Sequence, residues 1–139
     1  MAFQEKGAWV MLIGLIIGGA NYFTWVGLLS REIGQLAPPI LPMLVVFIVF
    51  LVVLAVIGFT IIALASPNEA NAPADERDRR ITERAGHWSG FVIGFGVIVS
   101  LGLYLFTYSG NLLFYGVFAS LLLSSIVEYG SKVVQYRIG

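Results

Sequence analysis

The chain has 139 residues, 58% of them hydrophobic and 12% charged, with eight basic and eight acidic side chains balancing to zero. One soluble core of this size cannot hide that much apolar surface, so lipid is the natural solvent for the excess. The balanced charge leaves no basic surface for nucleic acid. The absence of cysteine excludes disulfides, thiolate nucleophiles, iron–sulfur clusters and cysteine–zinc sites, and the single histidine cannot build an all-histidine metal site.

A helix crossing a bilayer core about 30 Å thick needs roughly 20 apolar residues. The first such stretch covers 7–29. It is longer than a cleavable leader's apolar region and three more stretches follow, so it reads as a retained helix. At 100° per residue, Gly7, Gly14, Gly18, Asn21 and Trp25 align on it. Small residues let helices touch closely in lipid, where packing and hydrogen bonds replace the hydrophobic effect. Asn21 is the most polar side chain deep in a span, and its amide needs partners. Two readings stand: a helix–helix hydrogen bond, or a polar group lining a substrate path. The connection that follows carries Arg31, and its Pro38 and Pro39 favour extended chain.

The second stretch, 42–65, is apolar all round apart from Thr60, which predicts the most lipid-exposed helix. Its unbroken run of aliphatic and aromatic residues does not alternate with polar ones, as a membrane β-strand would.

Residues 66–85 form a charged loop, opening with an alanine- and proline-rich linker. Pro73 and Asp75 look like a helix start, with acids in the first turn. Asp75 with Arg79 and Glu76 with Arg80 are spaced four apart, acid first. No breaker follows, so one continuous helix is predicted from about Asp75 to about Thr107, its first turns standing outside the membrane and its span at 86–107. On it, Gly86, Gly90 and Gly94 share one side, with Ser89, Gly96 and Ser100 beside them, and this side is expected to face the bundle. Trp88, Phe91, Phe95, Ile98 and Phe106 lie opposite and are expected to face lipid. Arg77, Arg80 and Arg84 extend that aromatic side below Trp88, as anchors on anionic headgroups or as a docking face for a cytoplasmic partner.

Turn formers at 107–111 divide the remaining apolar run and predict a tight hairpin into a fourth span at 111–134, on which Gly116, Ser120, Ser124 and Ser131 align. Glu128 is the only acid in or near a span on this reading. Lys132 lies one turn on, and Arg84 and His87 sit at similar depth. An interfacial ion pair and a protonatable gate are the two readings of Glu128, Lys132 and His87. His87, the single imidazole, is read as solvated rather than as a haem or metal ligand. Glycine-flanked serines lack a base and an orienting group in hydrolase geometry, and the glycines sit at helical spacing rather than in a phosphate loop. No catalytic residue, cofactor or metal is expected.

Seven bases, Lys6, Arg77, Arg79, Arg80, Arg84, Lys132 and Arg137, fall on one side of the membrane and Arg31 alone on the other. Lys and Arg collect in the cytoplasm, which puts both termini there.

The motif Phe3-x-Glu5-Lys6-x-x-Trp9 at the start and Asp75-Glu76-Arg77-Asp78-x-x-Ile81 before the third span resemble the hallmarks of an uncharacterised family of bacterial four-span inner-membrane proteins. The resemblance implies a bacterial cytoplasmic-membrane location and carries no activity or cofactor.

The expectation is therefore an all-α polytopic membrane protein. It forms a single four-helix domain over 1–139, N-in and C-in, with the third helix extended into the cytoplasm. It acts without catalysis as an assembly, scaffold or accessory subunit, in a homo-oligomer or a larger membrane complex. A small oligomeric transporter or channel, and a membrane sensor of a cytoplasmic regulator, are the alternatives.

Overall fold

A computed structural model describes residues 3–71, 73 and 75–138, the side chains of 69 and 70 excepted. Five helices follow one another: α1 (Phe3–Ile33), α2 (Leu41–Ala65), the five-residue α3 (Pro67–Asn71), α4 (Glu76–Thr107) and α5 (Gly110–Ile138). No strand occurs among the described residues. All but α3 are long and apolar enough to cross a membrane. They overrun the expected spans because the polar ends of α1, α4 and α5 continue the same helices. Of the linker expected ahead of the charged segment, residues 72 and 74 lie outside the described residues, and the stretch before them winds into α3, which sequence reading does not anticipate.

Local chemistry sets the helix ends. Pro42 sits in the first turn of α2, where its missing N–H costs nothing. α4 opens on a reciprocal capping box. Asp75 Oδ1 accepts from the Asp78 N–H at 2.7 Å, and Asp78 Oδ2 accepts from the Asp75 N–H at 3.2 Å. From there α4 runs unbroken for 32 residues, the continuous helix the sequence predicts. It stops at Tyr108, whose φ of 52° is left-handed and whose N–H closes on the Tyr104 carbonyl at 2.6 Å. Ser109 Oγ then accepts from the Leu112 N–H at 3.2 Å, which starts α5.

The long helices lie in the order α2, α1, α5, α4, each antiparallel to its neighbour, with α4 packed chiefly on α5. The arrangement is an open row rather than a closed ring. α2, at one edge, buries no residue at all. The start of α1 and the end of α5 lie together at one end, where Arg137 meets Glu5. That end also holds the charged first turns of α4. At the opposite end the core is aromatic. Tyr22 of α1 stacks on Phe118 of α5 with centroids 4.5 Å apart, and Phe47 of α2 meets Phe118 edge-on at 5.1 Å. Tyr115 Oη donates to the buried Ala37 carbonyl at 2.8 Å, tying the α1–α2 connection onto α5.

Candidate functional site

Gly7, Gly14 and Gly18 form the seam of α1 against α2. A Cβ on Gly7 would collide with Phe59, one on Gly14 with Leu54, and one on Gly18 would press on Phe50 and Phe47. Asn21 and Trp25 continue this line to where α1 and α2 part. There they line an open groove of about 430 Å³, walled by Met43, Phe47 and Phe50. Asn21 is exposed, and its amide has no hydrogen-bond partner among the described residues. Asn21 lies well inside the apolar stretch 7–29, and an amide left unsatisfied among apolar side chains costs free energy until a partner arrives.

The seam between α4 and α5 is made of interlocked serines and glycines. Gly96 faces Ser120, Gly116 faces Ser100, and Ser124 Oγ donates across to the Ser89 carbonyl at 3.0 Å. This corrects one expectation. Gly86, Gly90 and Gly94 do not face the bundle: a Cβ added at any of them meets nothing within 4 Å. The seam uses the flank expected to lie beside them, Ser89, Gly96 and Ser100, because those residues match the small positions of α5 in register. The glycine side is turned outward. Trp88, Phe91, Phe95, Ile98 and Phe106 are also exposed, as expected of a lipid face.

The charged end collects the remaining candidates. Lys132 Nζ lies 3.6 Å from Glu128 Oε1 and 5.0 Å from the centre of the Tyr129 ring. His87 is not drawn to that pair. Its imidazole is exposed and meets the rings of Trp88 and Phe91. Arg77 Nη2 donates to the Tyr136 carbonyl at 3.1 Å and its guanidinium lies 5.5 Å from that ring's centre. The Tyr136 hydroxyl donates to Asp78. Tyr136 stands beyond the apolar stretch that ends at Val134. Burial first, and then the Asp78 carboxylate, hold its phenol well above the ordinary tyrosine range, so it remains the donor. Arg80 pairs with Glu76. Arg84 has no partner among the described residues.

Sequence reading missed Glu5. It is a second acid near a span and lies deeper than Glu128, at 7% exposure. Arg137 Nε approaches Glu5 Oε1 to 2.9 Å, without the alignment of a hydrogen bond, so their attraction is ionic. Lys6 Nζ donates to Ser66 Oγ at 3.0 Å on the same floor. The one cue in the sequence is the place of Glu5 in the opening motif beside Lys6. No group of three or more histidines and acids able to hold a metal ion occurs among the described residues. The sequence matches no family model and no curated protein, and no solved structure matches the chain.

Proposed function

We propose that this chain is a non-enzymatic membrane subunit that assembles with a second copy or with a larger complex. Its residence in a bacterial inner membrane rests on the motif resemblance, and its N-in/C-in orientation on the seven-to-one asymmetry of bases. The observation that carries the reading is the outward-turned face of Gly86, Gly90 and Gly94. Three glycines at intervals of four allow another helix to approach closely in lipid, and none of the described residues takes the place. The unpartnered Asn21 amide and the bare edge helix α2 argue in the same direction.

A transporter path would need Asn21, Ser120, Ser124 and Glu128 to meet. Ser120 and Ser124 are taken up in the α4–α5 seam, Asn21 opens on the groove between α1 and α2, and Glu128 is paired with Lys132. No observation favours a sensor over an assembly subunit.

The test is the mass and composition of the protein extracted from native membranes in a mild detergent, with and without Gly90→Leu. A Cβ added at Gly90 meets nothing within 4 Å, so the substitution points away from the α4–α5 seam. The expected result is a multimer or hetero-complex that dissociates in the variant while helicity is unchanged. A lone protomer in the unsubstituted protein would sink the proposal.

A further inference from the structure

A furrow runs along the outside of the α4–α5 pair from the charged end into the apolar zone. Its upper section, about 430 Å³, is lined on α4 by Arg77, Arg80 and Arg84 and on α5 by Gln135 and Ile138. Its lower section, about 540 Å³, is lined by Trp88, Val127, Gly130, Ser131 and Val134. Arg84 and Gln135 border both sections, so the furrow is continuous. From Arg77 to Trp88 it extends about 16 Å along α4 at 1.5 Å per residue.

The chemistry changes along that length. The upper section presents three guanidiniums against the single carboxylate of Glu76. Arg77 is held in place by Tyr136, and Arg80 is neutralised by Glu76. Arg84 is left as the unspent charge, one turn above Trp88 and at the border of the uncharged run that begins at Ala85. Beyond Arg84 and Gln135 at its border, the lower section is apolar apart from Ser131, whose hydroxyl already accepts from Gln135 Nε2 at 2.9 Å. A positive mouth at the headgroup level over an apolar trough is the complement of one amphiphile: a phosphodiester with acyl chains below it.

We infer that the α4–α5 furrow binds one anionic phospholipid, with Arg84 on the phosphodiester, Arg80 beside it, and Trp88, Val127 and Val134 along an acyl chain. The furrow and the Gly86–Gly90–Gly94 face fall on opposite flanks of α4, to either side of its seam with α5, so lipid binding does not depend on assembly. Failure of one leaves the other standing.

The test is native mass spectrometry of the full chain, stripped of lipid by detergent exchange. It is titrated with phosphatidylglycerol, with phosphatidylcholine of the same acyl chains, and with inorganic phosphate. Phosphatidylglycerol is expected to bind at one molecule per chain, roughly ten-fold or more ahead of phosphatidylcholine, with inorganic phosphate neither binding nor competing. Arg84→Gln should weaken it roughly five-fold and Arg84→Lys much less. Val134→Phe, which fills the trough from an exposed position and leaves every charge in place, should weaken it roughly ten-fold. Arg79→Gln, on the same helix but outside the furrow, should leave it unchanged. Equal retention of the two lipids would overturn the inference, as would competition by phosphate, an equal effect of the Arg79 and Arg84 variants, or indifference to Val134→Phe. Circular dichroism and size-exclusion profiles of each variant establish that the fold persists.

Discussion

Ser120 of α5 fills the notch that Gly96 leaves on α4, and one turn away the roles are exchanged, with Ser100 of α4 filling the notch of Gly116 on α5. Each serine hydroxyl is satisfied within its own helix. Ser120 Oγ donates to the Gly116 carbonyl and Ser100 Oγ to the Gly96 carbonyl, both at 2.7 Å. The side chains are therefore free to act as small knobs, and the helix backbones come close without stranding a polar group in lipid.

This seam predicts opposite responses from neighbouring glycines. Gly96→Ala drives a methyl into Ser120 and should destabilise the chain by about 1–3 kcal/mol. Gly94→Ala, two residues earlier, meets open space and should lie within about 0.5 kcal/mol of the parent. Denaturant titration in micelles, followed by circular dichroism, distinguishes the two. Equal losses would show that α4 packs on α5 through a different face.

Tyr115→Phe removes the one hydrogen bond that, among the described residues, ties the α1–α2 connection to α5, while keeping the ring in its cluster. The Ala37 carbonyl, on a residue 1% exposed, is then left without a donor. A loss of about 1–3 kcal/mol is expected, with faster amide exchange at 34–40. Unchanged exchange there would mean that the prolines and the bond from the Ala37 N–H to Ser30 Oγ hold this connection in place.

The four long apolar helices, the exposed aromatic side of α4 and its unbroken course are legible in the sequence because they depend on local quantities: apolar length, turn residues, and a cap followed by no breaker. Which small-residue stripe meets which neighbour is not. Gly14 and Gly18 do lie in a seam within the chain, whereas Gly86, Gly90 and Gly94 do not, though the two stripes look alike as sequence. A glycine stripe says that a backbone can come near; it does not say whose. The row order α2, α1, α5, α4 is likewise hidden, since every short connection is compatible with several arrangements of antiparallel neighbours. Glu5 is hidden for a different reason. Its partner Arg137 comes from the far end of the chain, and apart from its place in the opening motif nothing local marks its burial.

Asp75→Ala removes the side-chain half of the capping box, the carboxylate that accepts from the Asp78 N–H, and leaves the backbone N–H of residue 75 to donate to Asp78. About 1 kcal/mol of local stability should be lost. The loss should be confined to the first turns of α4, where hydrogen exchange at Arg79, Arg80 and Ile81 reports it, and the spans should melt as before. Protection unchanged at those amides would show that the packing of Ile81 and Ala85, both buried, fixes the helix start without its cap.

The buried Glu5 carboxylate and Arg137 supply the last prediction. Arg137 is 60% exposed, so water and salt screen much of the pair's attraction, and its net worth is modest. Removing only the guanidinium is another matter, because the carboxylate stays where it is, 7% exposed, with its nearest cation gone. Arg137→Gln should therefore cost about 1–3 kcal/mol, and Glu5→Gln, which takes away the charge that needs compensation, should cost less. Arg137→Gln added on top of Glu5→Gln should cost almost nothing further. A double-mutant cycle by denaturant titration in micelles should return a coupling of about 1–3 kcal/mol that shrinks in high salt. Additive losses with no salt dependence would mean that the start of α1 and the end of α5 are held together by helix packing, and that the ion pair forms only as a consequence.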